Sequence, residues 1–450
     1  MDFILVSNLL SLILFLAVYL YIYKTAPTLI VVFFYLFFGY LSMMCSVFYL
    51  DLGGKYSFEL LKKSAQSNSL IVLTIFYLST LVLFLFWYRL RVVRFKQGLA
   101  LNFKKSMFYL TPRFIHFFLF ITAFYIFILY LHMIYTGVPL FLSYGKGEIW
   151  EYSKFKFLQP INNQASTILL VLGFLYSYIL HYKDYRSYTK YLVYFKLILV
   201  VFVCYIILMG YKFGGPLLYI FSFYVSYLVF FSINNSLRFR DLMKYISLSI
   251  IFFIPIIWYV YSNATFLSGD VWSLIFDRIF TLQGQIWHFL YAGILDHSIS
   301  PDFSQLFKEF KNLFSDAYTR ETGINYVMSL IMPENRLTSY IDQGIRLSGG
   351  YPAILVSISG FSIITFFFHV LFSSLICMLH LAWLSNLLKL NLIRFILWFK
   401  LAFVSKNIIF MGDIHVLFSL ENMIYLFVIF GIYLFRWSLI NEKKTLINRV

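Results

Sequence analysis

Charge is scarce in this sequence. Asp, Glu, Lys and Arg make up 12% of 450 residues, against about 25% in a soluble domain. A chain with so little polar surface cannot face water along its whole length. Cysteine is scarcer still: Cys45, Cys204 and Cys377 each sit inside an apolar run, none near another. That spacing argues against a disulfide framework and a thiolate metal site. A glycine-rich phosphate loop with lysine and an HExxH signature are both missing. So is the ten-residue apolar/polar alternation of an outer-membrane barrel. There are no tandem repeats and no low-complexity tracts. A glycosyltransferase using a nucleotide sugar needs a soluble domain for its donor, and no stretch of this chain supplies one.

What is present is apolar. Hydrophobic residues are 61% of the chain and the mean hydropathy is +0.82. Lipid leaves helices as the remaining way to satisfy the backbone, and a span needs about 20 apolar residues. Runs of that length lie near 3–23, 29–50, 69–88, 113–135, 165–181, 191–210, 214–233, 243–262, 352–378, 392–411 and 416–435. The predicted fold is therefore all-α and polytopic, with about eleven transmembrane helices. The first run has neither a basic residue before it nor a small-residue cleavage site after it, so it is expected to remain as a span. The 55 Phe and 37 Tyr are spread evenly and mark no site. A net charge of +17 would suggest nucleic acid in a soluble protein; here its placement concerns topology, and no nucleic-acid partner is expected.

Segment 89–113 carries Arg89, Arg91, Arg94, Lys96, Lys104, Lys105 and Arg113 without one acid. Basic loops stay cytoplasmic. Alternation then places Lys24, the 181–196 and 234–244 loops, the 384–400 turn and the C-terminal tail on the same side. The N-terminus is expected outside and the C-terminus inside.

The chain divides into N-terminal membrane helices (1–262, about eight spans), a large outer loop (263–350) and C-terminal membrane helices (351–450, about three spans). The loop gathers nine of the 19 acidic residues. Three stretches of it stand out. Residues 302–318 read as an amphipathic helix, with Phe303, Leu306, Phe307, Phe310, Leu313, Phe314 and Tyr318 on one face, suited to the protein surface or the headgroup layer. Val271–Leu295 is apolar enough to consider as a span, but Asp277, Arg278, Gln283, Gln285 and His288 are costly at mid-membrane. It is placed outside, dipping at most into the interface. As one helix it would align Arg278, Thr281, Gln285 and His288 in a polar stripe, either a cavity wall or a solvent face. The third stretch runs from Ile324 to Gly350 and holds Glu334, Arg336, Tyr340, Asp342, Arg346 and Gly349-Gly350. An arginine fork matches phosphate oxygens; the plainer reading of Arg346 is an i,i+4 ion pair with Asp342.

Three features resemble the Wzy-type O-antigen polymerases of bacteria. They are Tyr135-Thr136-Gly137-Val138-Pro139-Leu140-Phe141 at the outer end of the fourth span, the single large outer loop in the C-terminal half, and Tyr340-Ile341-Asp342-Gln343-Gly344 followed by Gly349-Gly350 at the next span. The resemblance implies a protein of the bacterial inner membrane. It would move a growing glycan from undecaprenyl pyrophosphate onto the sugar of a new lipid-linked repeat, outside the membrane. A pyrophosphate leaving group calls for fixed cations, with Arg278, Arg336 and Arg346 as candidates. The acceptor hydroxyl calls for a base, with His288, Glu321 and His415 as candidates. No metal or cofactor is expected. The implied partners are the undecaprenyl-pyrophosphate-linked glycan, the bilayer and a polysaccharide chain-length regulator. The alternatives are an O-antigen ligase, which would share layout and arginines, and a lipid-linked oligosaccharide flippase, which would favour short loops and charge inside the spans. An acyltransferase would want a histidine in an apolar span. His369 and His380 are so placed but isolated in sequence, and read as satisfied buried histidines.

Overall fold

The structure is a computed structural model that describes residues 2–56, 66–102, 111–141, 153–181, 188–211, 214–234, 254–255, 258–259, 262, 270–312, 322–342, 347, 349–412 and 414–447. Its helices in chain order are α1 (Asp2–Thr25), α2 (Pro27–Val32), α3 (Phe34–Asp51), α4 (Ser69–Asn102), α5 (Pro112–Thr136), α6 (Leu158–Asn162), α7 (Ala165–His181), α8 (Tyr191–Leu208) and α9 (Gly214–Asn234). The loop supplies α10 (Val271–Phe280), α11 (Gln285–Leu295), α12 (Gln305–Asn312), α13 (Gly323–Ile331) and α14 (Glu334–Asp342). Then follow α15 (Gly350–Ser359), α16 (Ile363–Leu388), α17 (Leu392–Met411) and α18 (Leu420–Ile447). Among the described residues there is no β-strand.

Among the described residues, eight helical segments are long and apolar enough to cross a bilayer: 3–25, 34–51, 69–91, 112–141, 158–181, 191–208, 215–233 and 363–388. The described residues are thus those of a polytopic helical membrane protein. Of the other expected spans, 243–262 lies mostly outside the described residues. Helix α17 carries Arg394, Lys400 and Lys406, and the apolar part of α18 stops at Leu434. Lys400 was assigned to a cytoplasmic turn; it stands mid-way along α17. Side chains on α5 such as Phe117, Phe120, Phe124 and Phe127 are exposed, as on a lipid-facing helix. Helices α7 and α9 meet closely because Gly173 has no side chain: a Cβ there would lie 1.8 Å from the Phe223 carbonyl oxygen. Small residues let membrane helices approach to this distance.

The run 352–378 is not one helix. Helix α15 has ten residues, about 15 Å of rise, half of what a span needs. It ends at Gly360 (φ 63°), where the chain turns back into α16. The Tyr351 hydroxyl meets Ser373 Oγ at 2.9 Å and its ring stacks on His369 at 5.4 Å, well inside α16. So α15 runs back alongside α16, and its start is buried deep. Gly349-Gly350 forms that buried start. Gly350 has φ +67°, and a Cβ there would sit 2.6 Å from the Ile409 carbonyl.

Val271–Leu295 is also broken. The helix stops at Phe280 and restarts at Gln285. The turn between is pinned to α3: Ser46 Oγ donates to the Thr281 carbonyl (2.8 Å) and accepts from Gly284 N (2.9 Å). From that turn, α10 brings Phe276 against Tyr49 and α11 brings His288 to Asp51. Both arms therefore climb the same end of α3. The segment is a helical hairpin packed against the last turns of α3, where one continuous helix was expected. Gly284 permits the contact, since a Cβ would fall 2.7 Å from Val47 Cγ2.

Candidate functional site

Asp51 is the last residue of α3 and is fully buried. A buried carboxylate is tolerated only when its oxygens are hydrogen-bonded. Five donors do this. Oδ1 accepts from Ser67 Oγ (2.5 Å), Ser69 Oγ (2.8 Å) and Ser69 N (3.2 Å). Oδ2 accepts from Leu70 N (2.9 Å) and Asn8 Nδ2 (3.2 Å). Two of these are first-turn N–H groups of α4, which have no partner within their own helix, so Asp51 caps α4 from outside. Its negative charge also faces the positive end of that helix. Trp287 Nε1 donates to the Ser69 carbonyl at 3.2 Å, which holds α11 against the same corner.

His288 completes the network. Its Nε2 lies 3.3 Å from Asp51 Oδ1 and 3.1 Å from Ser67 Oγ. Its Nδ1 lies 2.6 Å from the Tyr56 hydroxyl. An ionised carboxylate is acceptor-only, so Nε2 carries a hydrogen. Nδ1 of the neutral ring is then an acceptor, filled by the Tyr56 O–H. Burial, and then the Asp51 carboxylate, raise the Tyr56 pKa above the ordinary tyrosine value, so Tyr56 keeps its proton. The order of partners differs from a serine-hydrolase triad. There Ser and Asp occupy opposite ring nitrogens; here both face Nε2. The chemistry left open is proton transfer through Tyr56, since the imidazole is fully buried with both nitrogens engaged.

The predicted residues are distributed as follows. His288 is in this network. Thr281 and Gln285 are fully buried like it, but the helix break between them removes the continuous stripe. Arg278 lies on α10 and His415 in a short 3-10 turn (Ile414–Phe418), with side chains outside the described residues. Glu321 and Arg346 lie outside them entirely, as does the Asp342–Arg346 pairing. Arg336 stands half-buried on α14; α14 packs on α13, which packs on α11. Of the amphipathic helix expected over 302–318, the structure describes α12 (Gln305–Asn312), with Phe307 and Phe310 exposed on it and Phe303 exposed just before it; residues 313–318 lie outside the described residues.

Sequence reading missed Asp51, Tyr56 and Ser67. The available signal was one acid closing an apolar span, followed by a serine-rich stretch before the next. It also missed the partners of His369. That residue's Nε2 lies 2.9 Å from the Phe76 carbonyl, 2.9 Å from Ser79 Oγ and 3.2 Å from Thr80 Oγ1. His380 Nδ1 meets the Ile376 carbonyl at 2.9 Å. His380 is half-buried, whereas His369 is fully buried and its Nδ1 has no hydrogen-bond partner among the described residues, so His369 is satisfied at Nε2 alone.

Residues 317–426 match DUF6418, a family of unknown function. The match begins ahead of α13 and ends in the first turns of α18. No curated protein and no solved structure matches the chain.

Proposed function

We propose that the protein is a polymerase of lipid-linked oligosaccharide repeat units, working at the outer face of a bacterial inner membrane. One observation carries this reading. The loop that collects the charged residues packs a hairpin against α3, and its His288 there joins Asp51 and Tyr56 in a proton-accepting chain. Such a chain in a membrane protein without a soluble domain suits a substrate that arrives through the lipid. The N-terminus is read as outside and the C-terminus as cytoplasmic, from the placement of basic loops.

In the reaction, the acceptor sugar's hydroxyl oxygen bonds to the donor's anomeric carbon. The bond from that carbon to the pyrophosphate oxygen breaks, and undecaprenyl pyrophosphate leaves with the electron pair. The hydroxyl proton passes to Tyr56 Oη as the Tyr56 proton moves to His288 Nδ1. The imidazolium so formed faces the Asp51 carboxylate, which stabilises it. Arg336, with Arg278 and Arg346, is assigned to the charge growing on the pyrophosphate. A chain-length regulator is the partner expected in the membrane.

Deleting the gene tests the reading. Surface lipopolysaccharide should then carry at most one repeat unit. Loss of every decorated core would move the assignment to a ligase, and undiminished long chains would remove it.

A further inference from the structure

The start of α17 holds a buried cation without a counter-ion among the described residues. Arg394 is the third residue of that helix, about 5 Å of rise from its beginning. Helix α16, which leads into the turn, is long and apolar enough to span. Arg394 therefore stands at one end of the bundle, near headgroup level. It belongs to no part of the Asp51–His288 network.

Only 7% of Arg394 is exposed. Its guanidinium lies 4.4 Å from the centre of the Tyr433 ring on α18. Nε is closed off and has no hydrogen-bond partner among the described residues. The terminal nitrogens are the open edge of the fork, and among the described residues they meet no carboxylate. A buried lysine or histidine could shed its proton, but arginine keeps its charge. The ring face offsets only part of the cost of withdrawing that charge from water. The surroundings add to the deficit. A helix start is the positive end of its dipole, and residues 384–400 carry Lys389, Arg394 and Lys400 with no acid. The helix end is not itself the donor, because the Arg394 N–H already donates to Asn391 Oδ1 at 3.2 Å. What is missing is an anion that meets the side chain.

The exposed surface shows where that anion comes from. Tyr433, beneath the guanidinium, is 45% exposed, and Ile393, Phe430 and Leu434 next to these two residues are exposed as well. Apolar side chains exposed at the end of a membrane bundle face lipid, and the anion at that level is the lipid phosphate. Basic sites between helices at the membrane surface take anionic headgroups, and a guanidinium fork matches two phosphate oxygens.

We propose that Arg394 and the Tyr433 ring seat the phosphate of an anionic membrane lipid, whose acyl chain lies along the exposed face of α18. The proposal does not rest on the polymerase reading.

The test uses the full-length protein purified in detergent. Retention of phosphatidylglycerol is read by native mass spectrometry, with diacylglycerol as the phosphate-free control and inorganic phosphate as the competitor. Wild type should keep one phosphatidylglycerol that diacylglycerol does not replace and that inorganic phosphate displaces poorly. Arg394→Met should weaken its retention about tenfold or more. Arg394→Lys keeps the charge without the fork and should fall between. Tyr433→Leu should weaken retention about twofold to fivefold. Without lipid, Arg394→Met should melt at or above wild type, since it removes an unpaired buried charge. Equal retention of diacylglycerol, or phosphate binding that needs no lipid, overturns the proposal. So does unchanged retention in a folded Arg394→Met protein. Should that variant not fold, unchanged retention in Tyr433→Leu, which alters an exposed ring, overturns it instead. None of these results bears on the deletion phenotype that tests the polymerase.

Discussion

His288 Nε2 and Asp51 Oδ1 lie 3.3 Å apart, and both side chains are closed to solvent. They join the end of α3 to the rising arm of a hairpin from the far half of the chain. Asp51 also holds the start of α4 and Asn8 of α1, so one carboxylate ties four helices together.

Removing that carboxylate should disrupt the fold. Asp51→Ala leaves two helix N–H groups, the Asn8 amide, two serine hydroxyls and His288 without their acceptor. Breaking a buried charged network costs about 3–5 kcal/mol. Protein level in the membrane and its melting temperature should both drop. Asp51→Asn keeps one acceptor oxygen and should fall between the two.

Tyr56→Phe removes a hydroxyl and little else, about 0.5–1.5 kcal/mol of net hydrogen bonding. Membrane abundance should stay near normal. If Tyr56 relays the acceptor's proton, polymer synthesis should drop by about 10²–10⁴-fold. Normal polymer from this variant would leave the network with a structural role only. Stability against pH gives a second readout. The folded Tyr56 pKa is raised, by burial first and the Asp51 carboxylate second. Below an unfolded tyrosine's value of about 10 both states hold the proton. Above it the unfolded chain loses the proton first, so stability declines as pH rises toward the folded value. Tyr56→Phe should make that alkaline decline shallower.

Gly350→Ala should fail for two reasons. Its left-handed backbone (φ +67°) costs a non-glycine residue about 1–2 kcal/mol, and the new Cβ would meet the Ile409 carbonyl at 2.6 Å. The start of α15 would then withdraw from α17. Gly431→Ala is the control, since nothing lies within 4 Å of a Cβ there. Immunoblots of membrane fractions should show the first variant depleted and the second unchanged.

The arginine assignment has its own test. Arg346→Ala, if it removes a donor to the leaving pyrophosphate, should cost about 2.7–4 kcal/mol in transfer and abolish visible polymer at normal protein level. Arg346→Lys keeps the charge without the fork and should retain part of the activity. If Arg346 only pairs with Asp342, then Asp342→Ala should reduce abundance as much as Arg346→Ala. Full-length polymer from Arg346→Ala would remove it from the site.

The sequence by itself determined where helices form and which ends carry charge. A run of about 20 apolar residues in lipid has no other way to satisfy its backbone, so the starts of α4, α7, α8 and α17 were legible within a few residues. Polar residues inside a run were legible as an anomaly, which is how His288 was found. Tertiary structure alone decided what to do with those anomalies. Nothing in the spacing of 271–295 shows that Thr281 and Gly284 break the helix, because the break is held by Ser46, on α3. Asp51 and His288 are 237 positions apart, and no local periodicity links them. Lys400 looked like part of a basic turn, since a helix end is not marked by its charge alone. Its contact with Gln164, one residue before α7, arises from packing, which brings together segments that hydropathy can only count.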